Sequence, residues 1–84
     1  MTQNFNLKNI RALLIEGVSD QELRRLCYDE VQFRPVYEQL SQGMGKDSII
    51  DKLIEYAERK GLMEILLATA KELNPVKYER YQPY

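Results

Sequence analysis

Apolar residues recur every three or four positions along most of this chain, which is the spacing of one face of an α-helix. The first run contains Ile10, Leu13 and Leu14; it follows an N-cap signal at Asn6 and ends near Gly17. No window shows the sustained alternation that is typical of a β-strand, and β-branched residues are sparse. The pattern therefore predicts an all-α protein.

The second and third predicted helices are marked by their first turns. Ser19, with Glu22 three residues later, forms a capping box, and the helix that it starts is expected to end near Asp29. Pro35 is typical of a first helical turn, where its missing N–H is not needed for a hydrogen bond. We therefore expect a third helix that starts near Pro35 and carries Leu40 on its inner face, up to the glycine-containing loop that follows.

The fourth predicted helix has the clearest amphipathic pattern in the chain. Ser48, with Asp51 three residues later, is expected to cap it, and Asp47 is the rival cap. Gly61 is expected to end it as a C′ glycine. Its inner face is expected to consist of Ile49, Ile50, Leu53, Ile54 and Ala57.

The fifth predicted helix, residues 62–73, is apolar on nearly all sides, which favours a place at the centre of a bundle. Asn74 followed by Pro75 is typical of the N-cap and first residue of a short sixth helix. Tyr78 and Tyr81 on that helix are expected either to pack against the core or to form a contact surface. The sum is a six-helix antiparallel bundle with short connections. Its expected core comprises Leu13, Leu14, Leu23, Leu26, Ile50, Leu53, Ile54, Leu66 and Leu67.

Composition narrows the classes of function. The chain has 84 residues, enough for one domain, and a net charge of −1. A nucleic-acid-binding domain of this size is usually plainly basic, and no apolar run is long enough to span a bilayer. Histidine, the commonest general base and metal ligand, is absent from the sequence. We therefore expect a cytoplasmic protein that binds neither nucleic acid nor membrane.

The candidate chemical motifs favour structural interpretations. Cys27 has no histidine to activate it and shares an apolar face with two leucines, so it is expected to be a buried structural thiol. The Gly43-Met44-Gly45-Lys46 segment lacks the preceding glycine and the following hydroxyl residue of a phosphate-binding loop. The carboxylates of the fourth helix are mixed with lysine and arginine, as on a solvated helix face. We therefore predict no catalytic residue, no metal site and no cofactor.

A helix-turn-helix DNA-binding domain is the alternative for a helical chain of this length. The second helix offers Arg24 and Arg25, with Gln21 one turn earlier. Four carboxylates lie beside these groups and would repel a phosphate backbone, namely Asp20, Glu22, Asp29 and Glu30. The charge pattern favours a protein-binding module over this alternative.

Several segments together resemble the bacterial effector-associated domains of the death-like superfamily. The segment Glu22-Leu23-Arg24-x-Leu26-Cys27-Tyr28-Asp29 carries the most specific part of the likeness, although Tyr28 lies where phenylalanine is usual. The other segments are Ile10-x-x-Leu13-Leu14, Leu53-Ile54-Glu55-Tyr56, Lys60-Gly61-Leu62 and Asn74-Pro75. The resemblance covers residues 6–81, with residues 1–5 as a lead-in and residues 82–84 as a tail or the start of a linker.

The resemblance implies a six-helix Greek-key death fold and a non-catalytic adaptor that pairs with like domains. Such domains lie at the N-terminus of larger bacterial proteins and connect a sensor to an effector in immunity or programmed cell death. The expected partners are therefore other effector-associated domains, in a homo-oligomer, a filament or a heterotypic pair. The expected interaction surface consists of the charged residues of the second to fourth helices: Glu22, Arg24, Arg25, Asp29, Arg34, Glu38, Asp51, Lys52, Glu55 and Arg59.

Overall fold

The computed structural model describes residues 5–84, and these residues form six α-helices, one 3-10 helix and no β-strand. The predicted all-α six-helix bundle is confirmed. The helices are α1 (Leu7–Gly17), α2 (Asp20–Asp29), α3 (Arg34–Tyr37), α4 (Lys46–Lys60), α5 (Met63–Leu73) and α6 (Pro75–Arg80), and the 3-10 helix (Val31–Phe33) precedes α3.

Most helix boundaries follow the predicted capping signals. The Asn6 side chain accepts a hydrogen bond from the Asn9 N–H at the start of α1. Both halves of the Ser19–Glu22 capping box are present at the start of α2. Gly61 ends α4 in the left-handed conformation with φ 70°, which glycine adopts without a Cβ clash. The predicted caps of α1 and α2 and the predicted end of α4 are therefore confirmed.

Two predicted boundaries in the middle of the chain are wrong. Helix α3 ends at Tyr37, because the amide groups of Gln39 and Leu40 bond only three residues back, so the α-helical bonding pattern stops before Leu40. Helix α4 starts at Lys46 with Gly45 as its N-cap, so Ser48 and its rival Asp47 lie inside the first turn. Tertiary contacts explain the early start, because the Lys46 ammonium group donates a hydrogen bond to a carbonyl of α1, and Arg24 binds the preceding loop.

The core lies between α1, α2, α4 and α5. All nine residues of the expected core are buried, and Phe33 at the entry to α3 is buried with them. Helix α5 is less central than its composition predicts, because Ala68 is exposed and Leu73 keeps 38% of its surface exposed. Helix α1 packs against α4, α5 and α6, while α2 packs against α3, the 3-10 helix and α4. One side of α5 thus remains open near α2.

The C-terminal residues lie against the start of α1. The Asn6 N–H donates to the Tyr84 carbonyl at 2.7 Å, and the Asn9 side-chain amide donates to the Pro83 carbonyl at 2.9 Å. The Tyr84 hydroxyl donates to the Tyr78 carbonyl, and burial raises the pKa of Tyr84 to about 12. Residues 82–84, which the sequence suggests as a tail, therefore contact the bundle. None of the helices described here is long and apolar enough to cross a membrane.

Candidate interaction surface

Helix α2 places two neighbouring arginines in different environments. Arg24 donates to the carboxylate of Asp20 at 3.2 Å and to the carbonyl oxygens of Ser41 and Met44 at 3.0 and 2.9 Å. The Arg25 side chain is exposed and makes no hydrogen bond or ion pair with another residue in the described range 5–84. Arg24 therefore holds the loop before α4, while Arg25 is available to a partner.

The exposed side of α2 forms one wall of a shallow, open depression of about 510 Å³. Asp29 lines it and is exposed, with no hydrogen-bonding or ionic partner among residues 5–84. The lining residues are Gln21, Arg24, Arg25, Tyr28, Asp29 and Tyr37. The structure thus brings together three of the predicted surface residues, Arg24, Arg25 and Asp29.

Two exposed tyrosines and an arginine form a cluster beside this depression. The Arg34 Nε donates to the Tyr28 carbonyl at 2.7 Å, and its guanidinium lies 4.2 Å from the centre of the Tyr28 ring. The rings of Tyr28 and Tyr37 meet edge to face at 5.0 Å, with 49% and 39% of their surfaces exposed. Amphipathic rings fixed in this way suit a contact surface, because few side-chain torsions remain to be ordered on binding.

A second, narrower depression of about 180 Å³ lies between α2 and α5. Its apolar part is formed by Leu26, which is buried, and by the half-exposed Leu73. Its charged part is formed by Glu22, Arg25, Asp29 and Glu30, and Thr69 completes the lining. Arg25 and Asp29 therefore separate the two depressions and line both of them.

The remaining predicted surface residues lie apart from these depressions. On α4, Asp51 forms an ion pair with Arg11 of α1, and the Arg59 guanidinium lies 5.8 Å from the centre of the Tyr56 ring. Lys52 is half-buried and Glu55 is exposed on the same helix, while Glu38 is exposed just after α3. Nine of the ten predicted residues thus form a group around α2 and Arg34 and a separate group on α4, and Glu38 belongs to neither.

Cys27 lies on the inner face of α2 and is fully buried. Burial raises the pKa of the Cys27 thiol to about 12, although the positive charge of Arg24 acts in the opposite direction. A thiol that stays protonated at neutral pH is a poor nucleophile. The predicted burial of Cys27 is therefore confirmed.

The glycine-containing loop, the carboxylates and the C-terminal tyrosines were the other candidate motifs. Gly43 and Gly45 lie in an exposed loop, and Lys46 is engaged with the Ile15 carbonyl. Within residues 5–84 no three histidine, cysteine, aspartate or glutamate residues are grouped so that they could hold a metal ion. Tyr78 and Tyr81 are partly buried against the core, which favours packing over an open contact surface for most of each ring.

The predicted surface leaves out several residues that line the depressions, among them Tyr28, Tyr37, Glu30 and Leu73. Tyr28 enters the sequence pattern only as a variation on a motif, and Tyr37 lies in a predicted third helix that is longer than the observed one. Leu73 belongs to a helix whose uniform apolar composition does not show which side faces out. A tyrosine at the motif position where phenylalanine is usual was the available signal, because the added hydroxyl favours exposure.

These features define a small helical domain whose candidate sites are two depressions on its surface. A family model supplies the more particular assignment, since effector-associated domain 7 matches residues 10–75. The chain therefore belongs to the effector-associated domain 7 family, which agrees with the resemblance that its motifs carry. Neither the curated proteins nor the solved structures include a match to this chain.

Proposed function

We propose that this domain is a non-catalytic adaptor that pairs with like domains through the surface around α2. In this role it connects a sensor to an effector in bacterial immunity or cell-death signalling, in the cytoplasm. Membership of an effector-associated family supports an associating module. The likeness of its motifs to the death-like superfamily supports pairing with domains of the same kind.

The proposal rests on the exposed, unpaired side chains of Arg25 and Asp29. Both are exposed, both lie between two depressions, and neither has a hydrogen-bonding or ionic partner among residues 5–84. Opposite charges held side by side suit recognition, since electrostatic matching selects a partner more than it adds affinity. The neighbouring rings of Tyr28 and Tyr37 supply apolar contact area.

The test is charge reversal at Asp29 with a matched control at Glu16. Each carboxylate lies in the last turn of its helix, is exposed and has no hydrogen-bonding or ionic partner in the described chain. A lysine at either position suits the helix dipole, so both variants should fold. Asp29→Lys is expected to weaken association at least about tenfold, whereas Glu16→Lys should associate like the wild type.

Association would be measured by light scattering for the domain alone. A pull-down would be used for effector-associated domains encoded beside it. Binding should also weaken as salt rises, because contacts at a polar rim are screened. Equal binding by both variants, without salt dependence, would contradict a surface centred on α2. Absence of binding to any like domain would contradict the adaptor function itself.

A further inference from the structure

The second, narrower depression between α2 and α5, called the α2–α5 cleft from here on, has an apolar floor and a predominantly acidic rim. Leu26 and Leu73 provide the floor, in a space of about 180 Å³ that can take a branched aliphatic side chain. Three of the residues around it are carboxylates, and Arg25 supplies a positive charge at one side. A fitting partner therefore presents one apolar side chain next to a cation.

The end of α2 adds to the negative potential of this rim. The C-terminal pole of a helix is negative and favours cations, yet the last turn of α2 contains no basic residue. Asp29 and Glu30 lie at this pole, and their carboxylates have no cationic partner among residues 5–84. Arg34 binds the nearby Tyr28 carbonyl but leaves both carboxylates free. A partner's cation would relieve this repulsion.

Helix α6 carries a complementary side chain set. Val76 keeps 69% of its surface exposed, and Arg80 lies four residues later, on the same face of the helix. Glu79, also exposed, lies three residues after Val76 and provides a negative charge on that side. One face of α6 therefore presents an apolar side chain, the knob, with an anion and a cation next to each other one turn later.

We propose that Val76 of a second copy of this chain enters the α2–α5 cleft. Arg80 then meets Asp29 and Glu30, and Glu79 meets Arg25, so each charge finds an opposite one. The inference rests on the proposed function and specifies the partner as the chain itself.

The position of the knob points to a closed dimer. Val76 follows Leu73 by only three residues, so the knob and the cleft of one copy lie side by side. Two copies can then exchange knobs reciprocally about a two-fold axis, which satisfies both clefts and leaves none for further growth. The expected product is a symmetric dimer.

Val31 is even more exposed than Val76, at 79%, but it does not meet the same requirements. It directly follows Glu30, so it brings a carboxylate rather than a cation to an acidic rim. The arginine three residues later, Arg34, is already held by the Tyr28 carbonyl and ring. Val31 is therefore the matched control rather than a second knob.

Light scattering over a concentration series tests the proposal with two single substitutions. Val76→Asp places a carboxylate against the acidic rim, and Val31→Asp makes the same change at the other exposed valine. Each lies in the first turn of its short helix, where aspartate is tolerated. Val76→Asp should weaken dimerisation at least about tenfold, because it removes a valine contact and adds repulsion. Val31→Asp should dimerise like the wild type.

A mixing experiment tests the reciprocal geometry. Glu30→Lys combined with Leu73→Lys blocks the cleft, and lysine near the C-terminus of a helix should be tolerated. This variant and Val76→Asp should each dimerise at least about tenfold more weakly than the wild type when measured alone. Mixed in equal amounts they should form a dimer, because one intact knob meets one intact cleft and, at the other contact, the new aspartate faces the new lysines. Circular dichroism and thermal melting of each variant should match the wild type.

Several results would overturn this assignment. Dimerisation of Val76→Asp at the wild-type concentration contradicts it. Oligomers larger than dimers, or no dimer in the mixture, contradict the reciprocal geometry. A wild-type chain that stays monomeric yet binds another effector-associated domain overturns the second copy as partner and leaves the adaptor function standing. A chain that binds neither itself nor a like domain contradicts both.

Discussion

Helices α2 and α4 each bury one apolar stripe, but their outer faces differ. On α4, Asp51 is paired with Arg11, and Arg59 lies near the Tyr56 ring. Glu55 and Glu58 of α4 are exposed without ionic partners among residues 5–84, but they line neither depression. On α2, Arg25 and Asp29 stay without partners among residues 5–84, between two depressions. A charged helix face is therefore a binding candidate when the bundle leaves its charges unpaired next to open apolar surface.

The largest expected effect concerns the inner faces, where the two helices should behave alike. Leu23 of α2 and Leu53 of α4 are both fully buried. Leu23→Ala and Leu53→Ala should each lower the free energy of unfolding by ~2–5 kcal/mol, measured by urea denaturation. A cost below about 1 kcal/mol at Leu23 alone would show that α2 is less firmly packed than α4, which would undermine a surface built on it.

The next effect separates Arg24 from Arg25. Arg24→Ala should cost ~1–3 kcal/mol of stability, because the carbonyls of Ser41 and Met44 lose a charged donor. Arg25→Ala should change stability by less than about 0.5 kcal/mol, because Arg25 has no hydrogen-bonding or ionic partner in the described chain. Urea denaturation of the two variants provides the measurement. Equal costs would contradict the division between a structural and an available arginine.

A smaller effect is the pH dependence of stability, which should come from the inner face of α2 and not from that of α4. The thiol pKa of Cys27 in α2 is raised from 9.0 to about 12, whereas the buried residues of α4 are hydrocarbons. A raised pKa means that the unfolded chain loses its proton first, so stability is complete below pH 9.0 and falls as pH rises toward 12.

Between pH 9.0 and about pH 10, deprotonation of this thiol in the unfolded chain should lower the free energy of unfolding by about 1 kcal/mol. Cys27→Ala is the control, since it should lack this part of the decline even if it is less stable at every pH. Parallel pH curves for the two proteins would show that the thiol does not remain buried and protonated.

The smallest expected signal is DNA binding. The net charge is −1, and Arg24 is already occupied by Asp20 and two carbonyls. Fluorescence anisotropy with a random duplex at physiological salt should therefore show no binding. Salt-sensitive binding that Arg25→Ala weakens would support the helix-turn-helix alternative.

The helical pattern predicts much of this fold because burial follows local periodicity. The caps at Asn6, Ser19 and Asn74 use side chains within three residues of their partners, so the sequence alone reveals them. The start of α4 depends instead on contacts that Lys46 and Arg24 make with distant segments. Local signals at Ser48 could not reveal those contacts.

The candidate surface was harder to predict than the core. Arg24 and Arg25 are identical in type and adjacent in sequence, yet the loop at residues 41–44 engages only Arg24. The α2–α5 cleft depends on how far helices α2 and α5 lie apart. The apolar pattern of each helix does not specify that distance. Sequence reasoning therefore identified the charged helix but not which of its charges are free.

The most direct measurement is the change in backbone NMR shifts as the concentration of the wild-type chain increases. If α2 carries the interface and α6 fills the cleft, the affected amides should cluster in residues 22–30 and 69–80. The outer face of α4, including Asp51 and Glu55, should change little. Shifts concentrated on α4, with α2 unaffected, would contradict the account.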